Sequence, residues 1–171
     1  METAKAPAMK SQGSGRDWLG IAKLVLTIIG VFITGYIFIS EAFNTDTICP
    51  RNATFNCDLV QHSIYSKIGP IPIIYLGFGA YLVILAILLF QKRVPLLQQR
   101  GKMIVFALTL FGFLFSAYLT YIEAFVLQAW CIWCLSSAIT MTLLFIVSLI
   151  DLWRSVSMPL EDIMDDLDDA M

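Results

Sequence analysis

The chain has 171 residues, of which 58% are hydrophobic and only 14% charged, with a mean hydropathy of +0.79 and a net charge of -2. So few charged residues, against about 25% in an average soluble domain, cannot coat a globule, so lipid must form part of the surroundings. No basic stripe interleaved with aromatics runs along the chain, so nothing suggests a nucleic-acid partner.

Residues 1–15 are rich in Ala, Ser, Gly and Lys and read as a disordered tail. The first apolar run, residues 18–43, contains one basic residue near its start, Lys23. It is too long for a cleavable signal, and no small-residue cleavage site follows, so it is expected to stay as an uncleaved signal and first span. Residues 71–90 form the second run and 103–122 the third, both without charge. The last uncharged stretch, 124–150, exceeds the roughly 20 residues a span requires. Its beginning, 124–130, reads as a short connection and the rest as the fourth helix. None of these runs has a polar face at helical spacing, as a soluble bundle would. The fold class expected is therefore an all-α integral membrane protein, a four-transmembrane-helix bundle with an outward loop between helices one and two. Its body spans 16–155, and an acidic tail of 156–171 contains Asp162, Asp165, Asp166, Asp168 and Asp169.

Short-loop lysines and arginines orient such a bundle. Lys5, Lys10, Arg16 and Lys23 flank the first helix, Lys92, Arg93, Arg100 and Lys102 join the second to the third, and Arg154 follows the fourth. The loop of residues 44–70 carries only Arg51 and Lys67. Both termini are expected in the cytoplasm, and that loop outside the cytoplasmic membrane.

All four cysteines then fall on the outward side: Cys49 and Cys57 in the loop, Cys131 and Cys134 as Cys-Ile-Trp-Cys at the start of helix four. That compartment is oxidising, so disulfides can form there. A Cys-x-x-Cys at a helix start places both sulfurs on one face within one turn. Free amides and the helix dipole stabilise a thiolate there. Cys134 is the deeper of the two, near the membrane boundary, where a lipid-soluble oxidant can reach it. A structural bridge suits Cys49 and Cys57, but a bridge within one helical turn restrains little. Zinc suits the spacing poorly, with one close pair and no nearby histidine. Glu123, beside the outer end of helix three, is placed either to relay a proton or to face headgroups. Trp130 and Trp133 are placed either to line a bound ring or to anchor the interface.

Three stretches resemble the vitamin K epoxide reductase family, in particular its bacterial members. The first is the loop pair, with seven residues between Cys49 and Cys57. The second runs from Cys57 through Ser63 and Tyr65 to Gly69, Pro70, Pro72, Tyr75 and Gly77. The third is the Cys131/Cys134 pair. The resemblance implies a four-helix bundle around a quinone site, the quinone being of ubiquinone, menaquinone or vitamin K type. It implies that a reduced thioredoxin-like extracytoplasmic protein gives electrons to Cys49, that Cys57 exchanges with Cys131, and that Cys134 reduces the quinone. Ser63 matches the family's loop serine or threonine of the quinone pocket. Many bacterial members carry a fused thioredoxin-like domain; here an acidic tail follows helix four, so the partner is expected to be separate. Vertebrate members carry a tyrosine four residues after the second cysteine of the pair, where this chain has Ala138. That favours a plain quinone over an epoxide. The rivals are an epoxide reductase proper, a quinone-linked disulfide-forming enzyme of another four-helix family, and a non-catalytic scaffold with braced loops.

Overall fold

The computed structural model describes residues 15–43, 45, 47–49, 55–91 and 95–169. The amino-terminal tail up to residue 14, Arg51 and the basic residues Lys92 and Arg93 lie outside this set. Long apolar runs form the bodies of helices α1 (Gly15–Ala42), α3 (Ile73–Phe90), α4 (Pro95–Ile122) and α5 (Ile132–Asp169), and a short α2 (Cys57–Gln61) lies in the loop after α1. Four of these helices contain stretches long and apolar enough to cross a membrane. Inside them, hydroxyls bond to their own helix one turn back: Thr27 to the Lys23 carbonyl (2.7 Å), Thr34 to Gly30 (2.7 Å), Thr140 to Ser136 (2.8 Å). These three hydroxyls are thereby satisfied inside a lipid-compatible helix.

α1 packs on α3 and α5, and α4 on α5 and α3. Between them lies a core of Tyr81, Ile84 and Leu88 from α3, Val105 from α4, and Met141 and Leu144 from α5. Large apolar side chains point the other way, among them Phe32 (75% exposed), Phe111 (70%) and Trp153 (71%). An outward apolar belt around a filled centre is the arrangement that hydrocarbon surroundings demand. Tyr81 is fully buried and donates its hydroxyl to the Ser137 carbonyl of α5 (3.0 Å). Its ring lies against Gly30 of α1, where an added Cβ would overlap the ring. Gly30→Ala is therefore expected to destabilise the bundle by about 1–3 kcal/mol, the range for overpacking a filled core. Thermal unfolding in detergent measures it; an unchanged midpoint would mean that the Tyr81 ring can give way.

At the end of the bundle away from the cysteines, Asp151 of α5 receives Lys23 of α1 on one carboxylate oxygen (2.6 Å) and Lys102 of α4 on the other (3.2 Å).

Helix boundaries at the cysteine end differ from expectation. Helix two was expected from residue 71, but Ile71–Pro72 is a strand, β2, paired antiparallel with β1 (Lys67–Ile68), Lys67 opposite Pro72 and Ile68 opposite Ile71. Gly69, with φ 64°, makes the tight turn that a side chain would strain. The connection expected at 124–130 is shorter. The four apolar residues after Glu123 offer no break, so α4 runs on into a wide π turn, Glu123–Leu127. Gln128 ends it in the left-handed region (φ 48°), and Ala129 donates back to the Glu123 carbonyl (3.2 Å). α5 continues beyond the span to Asp169, so the acidic stretch is an extension of the last helix.

Candidate functional site

The loop returns to the bundle through α2. Asn56 caps that helix, its side-chain oxygen accepting from the Leu59 amide (3.2 Å). The Asn56 amide donates in turn to the Trp130 carbonyl (3.2 Å), and Phe55 bridges to Trp130 in parallel. The residue before Cys57 is thus bonded to the residue before Cys131. As a result Cys57 and Cys131 share one buried cluster with Val60 and Ala129, bordered by Cys49, Leu127, Trp133 and Cys134. All four cysteines meet here.

The two pairs are in different redox states. Cys49 and Cys57 are joined by a disulfide (S–S 2.00 Å), while Cys131 and Cys134 are free. Their accessibility also differs. Cys57 is 1% exposed and Cys131 is 0% exposed, whereas Cys49 and Cys134 are half-buried.

Cys131 occupies the cap of α5. Its carbonyl accepts from Leu135 (2.9 Å) and its sulfur accepts from the Cys134 amide (3.4 Å). This is the side-chain bond that a serine or aspartate makes at a helix N-cap. The Gln61 amide also reaches the Cys131 sulfur (3.9 Å) and the Thr47 hydroxyl (3.4 Å). The Cys131 thiol is held below its ordinary value, chiefly by hydrogen bonding from the Cys134 side chain, with the Cys134 amide and Gln61 adding to it. Burial and the nearby Glu123 carboxylate pull the other way. A thiolate absorbance near 240 nm is accordingly expected to titrate below the usual thiol value of about 8.5. It is expected to move upward in Cys134→Ala, which removes the leading donor and leaves the burial. A titration that Cys134→Ala leaves in place would overturn this account.

Glu123 is 5% exposed, at the first position of the π turn. Its carboxylate accepts the Cys131 amide (3.2 Å) and meets the Cys134 side chain. The carboxylate is thus turned into the protein against the terminal pair. Ser63 is bound more remotely. Its hydroxyl donates to the Val60 carbonyl (2.9 Å) at the end of α2, and it borders the cysteine cluster through Val60. Trp133 turns its indole N–H to the Ile48 carbonyl in the loop (3.0 Å).

Gln61, Asn56 and Tyr36, whose hydroxyl accepts the Ile48 amide (3.1 Å), belong to the site without having been singled out from the sequence. The first two were within reach of inspection: Gln61 lies one helical turn beyond Cys57, and Asn56 is a capping residue directly before it. Among models of known protein families, that of the vitamin K epoxide reductase family matches the chain over residues 21–149. The matched range takes in all four cysteines, Ser63 and Glu123. A search of curated proteins returned no match.

Proposed function

Because the chain belongs to the vitamin K epoxide reductase family of membrane redox proteins, we propose that it is a thiol–quinone oxidoreductase that re-oxidises a thioredoxin-like protein through its two cysteine pairs. The observation that carries this reading is the packing of a closed loop disulfide and an open terminal dithiol into one cluster. Such packing suits thiol–disulfide exchange between the two pairs.

Each step is a thiolate attack on a disulfide. A thiolate of the reduced partner attacks the Cys49 sulfur, the Cys49–Cys57 bond breaks, and Cys57 leaves with the electron pair. The partner's second thiol then releases itself as a disulfide and leaves Cys49 reduced. Cys57 attacks Cys131 of the oxidised terminal pair and Cys134 leaves as thiolate. Cys49 then closes on Cys57 and frees Cys131. The net result is one partner disulfide formed and one terminal dithiol. Accessibility favours this order, since half-buried Cys49 is the loop sulfur that a folded partner can meet, while Cys57 is enclosed beside the terminal pair.

A quinone serves as the final acceptor of two electrons and two protons. The residues at Cys134 suit an apolar ring: Leu127, Val60 and Trp133 are apolar neighbours in the cluster, and Glu123 brings a buried carboxylate against the sulfur. Glu123 is assigned the proton transfers between the terminal thiols and the acceptor. Ser63 borders the cysteine cluster through Val60 of α2 and takes no part in the sulfur exchange. The basic residues around Lys102 support a cytoplasmic position for the opposite end of the bundle and an outward one for the cysteines.

The test is anaerobic mixing of the purified protein with a reduced thioredoxin-like protein and a water-soluble ubiquinone or menaquinone analogue. One quinone is expected to be reduced per partner disulfide formed. No quinone reduction would overturn the reading and favour a scaffold.

A further inference from the structure

Ile48, the residue before Cys49, is held on both backbone groups. Its N–H donates to the Tyr36 hydroxyl (3.1 Å), and its carbonyl accepts the Trp133 indole N–H (3.0 Å). The two rings pack against each other, with centroids 4.6 Å apart. Tyr36 stands near the end of α1, and Trp133 lies between the two cysteines of the terminal pair. The Ile48 side chain itself is 80% exposed, so its own packing does little to fix its position. The loop is seated on the Trp130–Cys134 segment at two points, through Ile48 on Trp133 and through Asn56 on Trp130.

We infer that Tyr36 and Trp133 are positioning residues for the loop pair, clamping Ile48 so that the Cys49 sulfur stays within reach of Cys57 when the loop disulfide is open. The inference rests on the relay proposed above and concerns its last exchange. In that exchange a Cys49 thiolate attacks Cys57, the Cys49–Cys57 bond forms, the Cys57–Cys131 bond breaks, and Cys131 leaves with the electron pair. The oxidant is the terminal disulfide already consumed in making the Cys57–Cys131 bond. Without the clamp, Cys49 becomes the free end of an open segment, and its effective concentration at Cys57 falls.

Tyr36→Phe and Trp133→Phe each remove one hydrogen bond and keep a ring. The loop pair is isolated in full-length protein carrying Cys131→Ser and Cys134→Ser. It is then equilibrated in glutathione redox buffers and read by thiol trapping and mass spectrometry. The two ring substitutions together are expected to shift the equilibrium toward the open dithiol about tenfold, or roughly 30 mV. A melting point that falls while this equilibrium stays within twofold of the parent would overturn the inference and leave a merely structural contact. Ile48→Pro removes the same N–H from the loop side. It is expected to shift the equilibrium, with no further shift when Tyr36→Phe is added; additive shifts would overturn a direct bond. With all cysteines present and the protein turning over, the ring variants are expected to accumulate a Cys57–Cys131 linked form, and its absence would likewise count against the clamp. The equilibrium measurement needs neither quinone nor partner, so its result stands apart from any failure of the relay.

Discussion

Cys134→Ser is expected to abolish quinone reduction with every electron donor, whereas Cys57→Ser abolishes it only when the donor is a thioredoxin-like protein. The difference follows from where the sulfurs lie. Cys134 is the half-buried member of the terminal pair and meets Glu123, and in the proposed relay all electrons leave through it. Without it no terminal disulfide forms, and the rate is expected to fall by at least about a thousandfold, equivalent to roughly 4 kcal/mol of barrier. Cys57 is enclosed beside Cys131, and in the proposed relay it serves only as the link from the loop to Cys131. A small dithiol such as dithiothreitol can approach a terminal disulfide from the half-buried Cys134 side and bypass the loop. Cys57→Ser should therefore retain most of the dithiothreitol-driven rate and lose at least about a hundredfold of the protein-driven one. Cys49→Ser should resemble Cys57→Ser, because a folded partner cannot reach a sulfur that is 1% exposed. The measurement is quinone absorbance under anaerobic conditions with each donor in turn. Full protein-driven activity in Cys57→Ser would remove the loop pair from the path, and activity surviving Cys134→Ser would remove the terminal pair.

Features legible in the sequence were those that depend on short stretches of chain. Uninterrupted apolar runs can satisfy their backbone in lipid only as helices, so the four spans could be read directly. A Cys-x-x-Cys at a helix start implies a capped thiolate, and Cys131 does cap α5. Other features depend on which helices become neighbours. Lys23 reads as a flanking charge for orientation, yet it is buried and paired with Asp151 across 128 positions. Trp133 reads as a ring liner or an interface anchor, and only the return of the loop over α5 reveals its bond to Ile48. The π turn at Glu123 is a different case. Nothing in five residues of ordinary helix formers signals a wider turn, but that turn brings the Glu123 carboxylate back onto the Cys131 amide. Resemblance conveyed the order of the cysteines, and burial then supplied a physical reason for that order.

Asp151→Ala is expected to be the most damaging single change to the bundle, costing about 3–5 kcal/mol, because it strands a buried ammonium. The two lysines do not weigh equally. Lys23 has 6% of its side chain exposed and binds at 2.6 Å, while Lys102 is a third exposed and binds at 3.2 Å. Lys102→Met should therefore cost no more than about 1 kcal/mol, as for a partly solvated pair. Lys23→Met should fall between the two, since Asp151 keeps Lys102 as a partner. The discriminating variant is the double change Lys23→Met with Asp151→Leu. Removing both charges removes both desolvation costs, so the double variant should be close to the parent in stability and well above Asp151→Ala. Thermal or denaturant unfolding in detergent gives all four values. A double variant as unstable as Asp151→Ala would mean that the ion pair stabilises on balance. An unchanged Asp151→Ala would mean that water reaches Lys23. The cluster joins α1, α4 and α5 at the end away from the cysteines, and α1 and α5 are the helices that carry Tyr36 and Trp133 at the other end. A loosened Asp151 cluster should consequently also weaken the hold on Ile48, and the loop equilibrium of Asp151→Ala should shift in the direction of Tyr36→Phe, by a smaller factor.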